Sequence, residues 1–124
     1  MQVTDLFATV ADWADVDLAG ALPPGHALDS ISLTPYLADP TAPPLRATAF
    51  SEFFSPNGFG PYELQFRTIR DARYKLIVEL GKEPRFFDLA LDPYEEANLL
   101  AGTLTPDQQA AYDALDAQLV ATVR

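Results

Sequence analysis

The chain has 124 residues, a length that corresponds to one domain and is sufficient to bury a hydrophobic core. Apolar residues make up 48% of it, with eight Phe and five Tyr, and this composition excludes an intrinsically disordered chain despite 11 Pro residues. Eighteen acidic and eight basic residues give a net charge of −10, which disfavours binding to nucleic acid or to an anionic lipid surface.

Cysteine is missing from the sequence, which excludes a disulfide framework and thiolate chemistry. The first residues lack the basic region and apolar run of a signal peptide, and no segment approaches the ~20 apolar residues of a membrane span. We therefore expect a soluble protein without a membrane partner. The sequence does not indicate its compartment.

The first helix is predicted over residues 3–14, where apolar residues recur at helical spacing. Thr4 is the N-cap candidate, and Asp5 places a negative charge in the first turn, where it is favoured. The apolar positions are Leu6, Phe7, Val10, Trp13 and Ala14. Because the chain offers little for this face to pack on, we expect another surface to cover it.

The next segment is predicted to be mostly irregular. A Pro- and Gly-containing corner covers residues 15–25, a short helical turn covers residues 32–37, and a stiff connector covers residues 39–44. His26 is the only histidine. With no nucleophile near it in the sequence, it is predicted to be a surface loop residue rather than a general base.

Alternating bulky residues predict an antiparallel meander between residues 48 and 89. Its strands are predicted over residues 48–54, 64–69, 74–80 and 85–89. Polar or Gly- and Pro-containing turns separate them.

Two helix-start signatures follow the strands. Asp92, Pro93 and Glu95 suit the N-cap, first and third positions of a helix, so a capped turn is predicted there. Thr105 and Gln108 repeat the signature and open a final helix through about residue 123. Its apolar face consists of Tyr112, Leu115, Leu119 and Val123, and we expect this face to dock on the sheet.

These elements predict an α+β fold: a small antiparallel sheet of about four strands, a C-terminal helix packed across one face, and an amphipathic N-terminal helix at its margin. Residues 1–124 are expected to form a single domain. It comprises a helix with a Pro-rich lead-in (1–45), the antiparallel meander (46–90), and the capped turn with the C-terminal helix (91–124).

Five segments carry family motifs in the same order along the chain: TDLFATVADWADVDL, LDSISLTPYL, FSEFF, RDARYKLI and RFFDLALDPYEEANL. Together they resemble the C-terminal region of the sulfatase (arylsulfatase-like) family of the alkaline phosphatase superfamily, over nearly all of the chain. The resemblance implies part of a hydrolase whose N-terminal helix packs on a large α/β domain. Most of that domain is absent here.

The resemblance also implies which chemistry is absent. Sulfatases convert the Cys or Ser of a Cys/Ser-x-Pro-x-Arg segment to formylglycine and hold a divalent cation with Asp and Asn side chains. This chain contains neither set. We therefore assign it no catalytic residue, no metal ligand and no cofactor, and a cation such as Ca²⁺ would belong to the missing catalytic domain.

A run of oxygen-bearing side chains is a candidate Ca²⁺ site: Asp88, Asp92, Glu95, Glu96 and Asn98. Its spacing does not fit an EF-hand loop, which requires Asp or Asn at alternate positions and a Gly at the sixth. Capping explains Asp92 and Glu95, so a structural role is the favoured interpretation.

The loop of residues 55–62, SPNGFGPY, is the best functional candidate in the sequence. Asn57, Phe59 and Tyr62 lie on a frame of Gly and Pro, and long loops of this kind often line binding sites. The resemblance implies that a loop of the C-terminal sheet approaches the substrate pocket. We therefore interpret these residues as substrate-facing, with an ordinary long hairpin connection as the alternative.

The one basic cluster of this acidic chain lies around the second and third strands. Arg67 and Arg70 are candidate contacts for a sulfate or a carboxylate, together with Arg73 and Lys75. The alternative is that these side chains pair with local acids across the hairpin.

Two functions remain open at this point. The first is a non-catalytic C-terminal subdomain of a sulfatase-like sulfuric ester hydrolase, which supports the catalytic domain, forms one wall of its substrate pocket and is inactive alone. The alternative is a stand-alone, self-associating binding or assembly module derived from a sulfatase scaffold. In either case we expect a homodimer or larger assembly, and a phosphatase or phosphonate hydrolase is an open alternative for the parent enzyme.

Overall fold

Residues 2–26 and 28–123 are described by a computed structural model, and within them lie four α-helices and four β-strands. They fall into an N-terminal unit, residues 1–46, and a C-terminal unit, residues 47–124. The division of residues 1–124 as one domain with three parts stays a prediction, as does the position of the N-terminal helix beside the sheet.

The N-terminal unit contains α1 (Asp5–Trp13), α2 (Leu18–Ala21) and α3 (Thr34–Ala38), so the helix and the helical turn predicted there are confirmed. Thr4 occupies the N-cap position, but its side chain makes no capping hydrogen bond. Instead, the Asp5 carboxylate accepts a hydrogen bond from the Gln2 N–H at 2.8 Å. The carboxylate of Asp5, and not the side chain of the N-cap residue, thus makes the hydrogen bond at the start of α1.

A buried carboxylate organises the N-terminal unit. Asp5 is 1% exposed and accepts hydrogen bonds from the Ile31 N–H at 3.2 Å and from Arg46 Nη2 at 2.5 Å. The hydrogen bond from Arg46 has the largest effect on the pKa of Asp5. Together with the bonds from the backbone N–H groups, it outweighs desolvation and lowers this pKa to about 2. Polar contacts to one side chain therefore join α1 to the segments around residues 31 and 46.

The C-terminal unit is built on one antiparallel sheet with strand order β1-β2-β3-β4, which confirms the predicted meander. The strands are β1 (Ala49–Ser55), β2 (Leu64–Arg70), β3 (Tyr74–Glu79) and β4 (Arg85–Asp88). Ile69 lies opposite Leu76, which lies opposite Phe86, so these three apolar side chains share one face. Gly81, with φ of 73°, permits the tight turn from β3 to β4.

Helix α4 (Pro106–Thr122) covers that face of the sheet and confirms the predicted α+β fold. Its start is a complete capping box, in which Thr105 Oγ1 accepts from the Gln108 N–H and Gln108 Oε1 accepts from the Thr105 N–H. Leu115 and Leu119 are 2% and 5% exposed within the core. The buried cluster consists of Ile69, Tyr74, Leu76, Phe86, Leu115 and Leu119.

The acidic turn differs from the prediction in one respect. The Asp92 carboxylate caps the turn, accepting from the N–H groups of Glu96 at 3.1 Å and Ala97 at 2.9 Å, and these bonds lower its pKa. Glu95, however, has a φ of 60° and accepts a hydrogen bond from Lys75 Nζ at 2.6 Å, so it does not take the third helical position that its place in the sequence suits. A left-handed residue cannot continue a helix, and within the described residues none begins there.

No helix in residues 2–26 or 28–123 combines the length and apolar character needed to cross a membrane.

Candidate functional site

The three residues interpreted as substrate-facing, in the loop between β1 and β2, differ in their surroundings. Tyr62 lies against Phe54, with ring centroids 5.1 Å apart, and therefore anchors the loop to the sheet. Phe59 is fully exposed and Asn57 is exposed as well. Gly58, with φ of 149°, provides a backbone conformation that side chains disfavour. The role of the loop in substrate contact stays a prediction.

The structure places Arg67 and Arg70 on opposite faces of the sheet, because they are three residues apart in one strand. Arg67 lies on the face covered by α4 and donates from Nε to Glu52 Oε1 at 2.7 Å. This cross-strand ion pair is the local pairing that the sequence offers as the alternative to anion binding.

Arg73 forms an ion pair with Asp88 at the end of the hairpin. Its Nε lies 3.1 Å from both carboxylate oxygens of Asp88, and its Nη2 lies 2.6 Å from Oδ2. This fork of hydrogen bonds raises the pKa of Arg73 and lowers the pKa of the buried Asp88 carboxyl. The guanidinium also lies 5.0 Å from the centroid of the Tyr74 ring.

Arg70 is the exception among the cations. Arg46, Arg67, Arg73, Lys75, Lys82 and Arg85 each have a carboxylate oxygen within 4.0 Å. Within residues 2–26 and 28–123, no carboxylate lies this close to the Arg70 guanidinium, which donates from Nε to the Asp71 carbonyl at 3.2 Å. It is exposed at the end of β2. Of the described arginines, it is therefore the one available to an external anion.

Arg70 and Lys75 face each other across β2 and β3 in direct register and therefore lie on the same face. Beside them is a shallow cleft of about 350 Å³, here named the Arg70 cleft. It is lined by Arg70, Ala72, Lys75, Leu89, Ala90, Pro93 and Glu95. The two cations and one carboxylate of the lining give a local charge of +1 in a chain whose net charge is −10.

The oxygen-bearing run weighed as a metal site is occupied by other partners. Asp88 binds Arg73, Glu95 binds Lys75, and Asp92 binds backbone N–H groups. Asn98 Oδ1 accepts from the N–H groups of Phe86 and Leu100, which caps the 3₁₀ turn Leu99–Ala101. In the part of the chain that the structure describes, no three His, Cys, Asp or Glu side chains form a group able to hold a metal ion.

His26 lies in a loop of the N-terminal unit and is exposed. It lines an apolar groove of about 490 Å³ together with Leu18, Leu22 and Leu28. Two acids of this unit are engaged elsewhere, Asp5 with Arg46 and Asp12 with the Ser32 and Thr34 hydroxyls.

Helix α1 turns its apolar face outward. The exposed side chains are Val3 at 80%, Leu6 at 52%, Phe7 at 57%, Val10 at 62% and Trp13 at 66%, and we name this surface the α1 stripe. The buried positions of the helix are Asp5, Ala8, Thr9 and Ala11. The burial pattern of this helix is therefore the inverse of that expected for an amphipathic helix on a hydrophobic core.

Sequence reasoning missed the walls of the Arg70 cleft, which come from the turn after β4. One signal was available: the short turn between β2 and β3 places Arg70 opposite Lys75. The approach of Glu95 to Lys75, from a residue twenty positions away, had no counterpart in the sequence pattern.

The chain matches no family model. It is similar to a solved structure of a putative sulfatase from Bacteroides thetaiotaomicron, with 26% sequence identity and a TM-score of 0.69. It is also similar to the phosphonate monoester hydrolases of Agrobacterium radiobacter, with 28% identity, and Silicibacter pomeroyi, with 26% identity, each with a TM-score of 0.65.

Each of these matches covers 95% of this chain but only 24% of the matched structure. The chain thus spans about a quarter of the length of the enzymes that it resembles. The resemblance deduced from the five sequence motifs is confirmed. In sequence and in fold, the chain resembles a C-terminal region of the sulfatases and phosphonate monoester hydrolases of the alkaline phosphatase superfamily.

Proposed function

We propose that this chain is the non-catalytic C-terminal subdomain of a sulfatase-like hydrolase and that it supports the catalytic domain. The observation that carries this proposal is the structural match over 95% of the chain with 24% of the length of those enzymes. Sulfatases and phosphonate monoester hydrolases match about equally well, so the ester of the parent enzyme is a sulfate or a phosphonate.

The α1 stripe supports the proposal. Its five side chains expose an apolar area of roughly 500 Å², at the upper end of what stable monomers leave uncovered. We assign this surface to contact with the catalytic domain, where burial would stabilise the complex by about 25 cal/mol per Å² before ordering costs.

The loop between β1 and β2 gives the finer part of the proposal. Its exposed Asn57 and Phe59 form one wall of the substrate pocket, with Tyr62 fixing the loop to the sheet. The nucleophile and the divalent cation of the reaction belong to the catalytic domain. This chain then contributes shape and apolar contact to the pocket, and no reacting atom.

A second candidate function is favoured by the same exposed surface. If no catalytic domain accompanies the chain, the α1 stripe would be covered by self-association, and the protein would be a binding or assembly module. Two stripes of roughly 500 Å² each would bury only about 1,000 Å², below the usual range for a stable dimer. The area therefore favours a larger partner.

The test is co-expression of this chain with the polypeptide encoded immediately upstream of it, followed by sedimentation and activity assays. We expect a one-to-one complex that hydrolyses a sulfate or phosphonate monoester, whereas the chain alone hydrolyses neither with a divalent cation present. Phe7→Ser should weaken the complex on the order of tenfold or more, because it places a hydroxyl in the apolar contact.

Leu37→Ser is the matched control, since Leu37 is 62% exposed on α3 and lies outside the α1 stripe. It should leave the complex unchanged. Turnover of either ester by the chain alone would overturn the proposal. A homodimer that Phe7→Ser dissociates, with no upstream complex, would favour the assembly module instead.

A further inference from the structure

The Arg70 cleft combines two like charges with an acid that is held in an unfavourable backbone conformation. In an antiparallel pair, like charges directly opposite each other are destabilising, and Arg70 and Lys75 stand in that position. Glu95, with φ of 60°, reaches only Lys75, at 2.6 Å. One positive charge therefore remains without a counter-charge in the cleft, and strain of this kind concentrates at functional sites.

Among the described residues, the other acids near the cleft form no ion pair with Arg70. Asp71 turns its carboxylate to the N–H groups of Arg73 and Tyr74, at 2.7 and 2.6 Å. The Asp92 carboxylate is bound by the N–H groups of residues 96 and 97. The exposed Glu96 lies outside the lining of the cleft.

From this arrangement we propose that the Arg70 cleft binds a singly charged oxyanion, a carboxylate or a sulfate monoester, carried on a small organic group. The guanidinium of Arg70 offers N–H donors in a planar fork that suits such an oxyanion. Lys75 supplies the second positive charge from the opposite strand, and Glu95 offsets one of the two, so a single anionic charge completes the balance of the cleft. The apolar walls Leu89 and Pro93 are placed to contact the organic group.

This site differs from the anion contact predicted from the sequence. Arg67 lies on the other face of the sheet and is neutralised by Glu52, so it takes no part. The proposal also goes beyond the proposed function, because it requires neither a catalytic domain nor hydrolysis. The purified chain alone is sufficient to test it.

The experiment is a titration of the ¹⁵N-labelled chain, at constant ionic strength, with methyl sulfate, hexanoate and inorganic sulfate as separate probes. We expect saturable shifts of the backbone amides of Ala72, Leu89 and Ala90 with a dissociation constant in the millimolar range. The two monoanions distinguish a sulfate ester from a carboxylate as the preferred group. Inorganic sulfate lacks an organic group to contact Leu89 and Pro93, and its second charge makes it costlier to desolvate, so it should bind several-fold more weakly than the better monoanion.

Three variants distinguish binding in the Arg70 cleft from non-specific electrostatic attraction of the anion. Arg70→Gln should weaken binding on the order of tenfold, whereas Arg67→Gln, with the same change in net charge, should alter it less than about twofold. Glu95→Gln should tighten binding about three- to tenfold, because it frees Lys75 for the anion. A merely structural role for Glu95 would not produce this gain.

Any of three results would overturn the proposal. They are the absence of saturable shifts at the cleft, equal weakening by Arg67→Gln and Arg70→Gln, and unchanged or weaker binding in a folded Glu95→Gln variant. Near-ultraviolet circular dichroism establishes that each variant is folded.

Discussion

The ion pair of Arg73 and Asp88 joins the ends of two neighbouring strands of the sheet. Asp88 is 2% exposed at the end of β4, and Arg73 precedes β3, so their fork of hydrogen bonds fixes the two strand ends together. Arg73 itself is about half exposed, and for that reason the buried carboxylate dominates the energetics.

Arg73→Gln should lower the free energy of unfolding by about 2 kcal/mol at pH 7, because it leaves a buried carboxylate without its cation. Arg73 holds the pKa of folded Asp88 below its ordinary value of 3.8. This contribution is therefore complete above pH 3.8 and is lost as the pH falls through the lower, folded pKa. Urea unfolding of both proteins at pH 7 and pH 3 measures the effect, and we expect the difference to shrink at pH 3.

Arg67→Gln is the control, since Arg67 and Glu52 are each about 30% exposed in their ion pair. It should change stability by less than about 1 kcal/mol at either pH. An equal loss in both variants would mean that burial of the acid does not matter.

Individual residue roles were the least predictable level of the molecule. The sequence pattern indicated a basic cluster, yet the choice of partner for Arg73 and Lys75 depends on loops that approach from after β4. Asp5 was placed in the first turn of α1 for its charge, while its main partner, Arg46, lies 41 residues away. Such partners follow from tertiary packing, which local periodicity does not encode.

Secondary-structure elements were more predictable, because their signals are local. The strands and α4 follow from alternation, turn residues and capping, all within a few residues of each boundary. The cap at Thr105 leads into a helix, whereas the similar signature at Asp92 does not, because Glu95 turns left-handed to reach Lys75. A tertiary ion pair thus competed with the local signal at Asp92.

The capping box of α4 yields a prediction at this scale. Thr105→Ala removes the side-chain acceptor of the Gln108 N–H and should lower the free energy of unfolding by about 1 kcal/mol. Thr103→Ala is the matched control, because Thr103 is exposed and no side-chain hydrogen bond is seen for it among the described residues. Urea unfolding measures both variants. Equal stability of the two would show that the cap contributes nothing.

At the scale of the whole molecule, the two units differ in what they bury. The C-terminal unit encloses Ile69, Leu76 and Phe86, each fully buried, beneath α4. The N-terminal unit buries Asp5 and small residues of α1, whereas the large apolar side chains of α1 are exposed. Composition predicted a chain able to form a core, but it could not indicate that residues 47–124 would supply it.

This difference predicts unequal protection against hydrogen exchange. The amides of α1 should exchange on the order of a hundredfold faster than those of β2 and β3, because few apolar contacts oppose local opening of α1. Mass spectrometry of peptides from the intact chain measures both units in one sample. Equal protection of α1 and the central strands would contradict the prediction.

The order of the strands has a consequence for how the protein is made. Each strand pairs only with its neighbours in the sequence, so the sheet can assemble stepwise while the chain is still emerging from the ribosome. Helix α4 is translated after the four strands, and before it forms, Ile69, Leu76 and Phe86 lie uncovered on a nascent sheet. The risk of aggregation during biosynthesis is therefore greatest between translation of β4 and completion of α4.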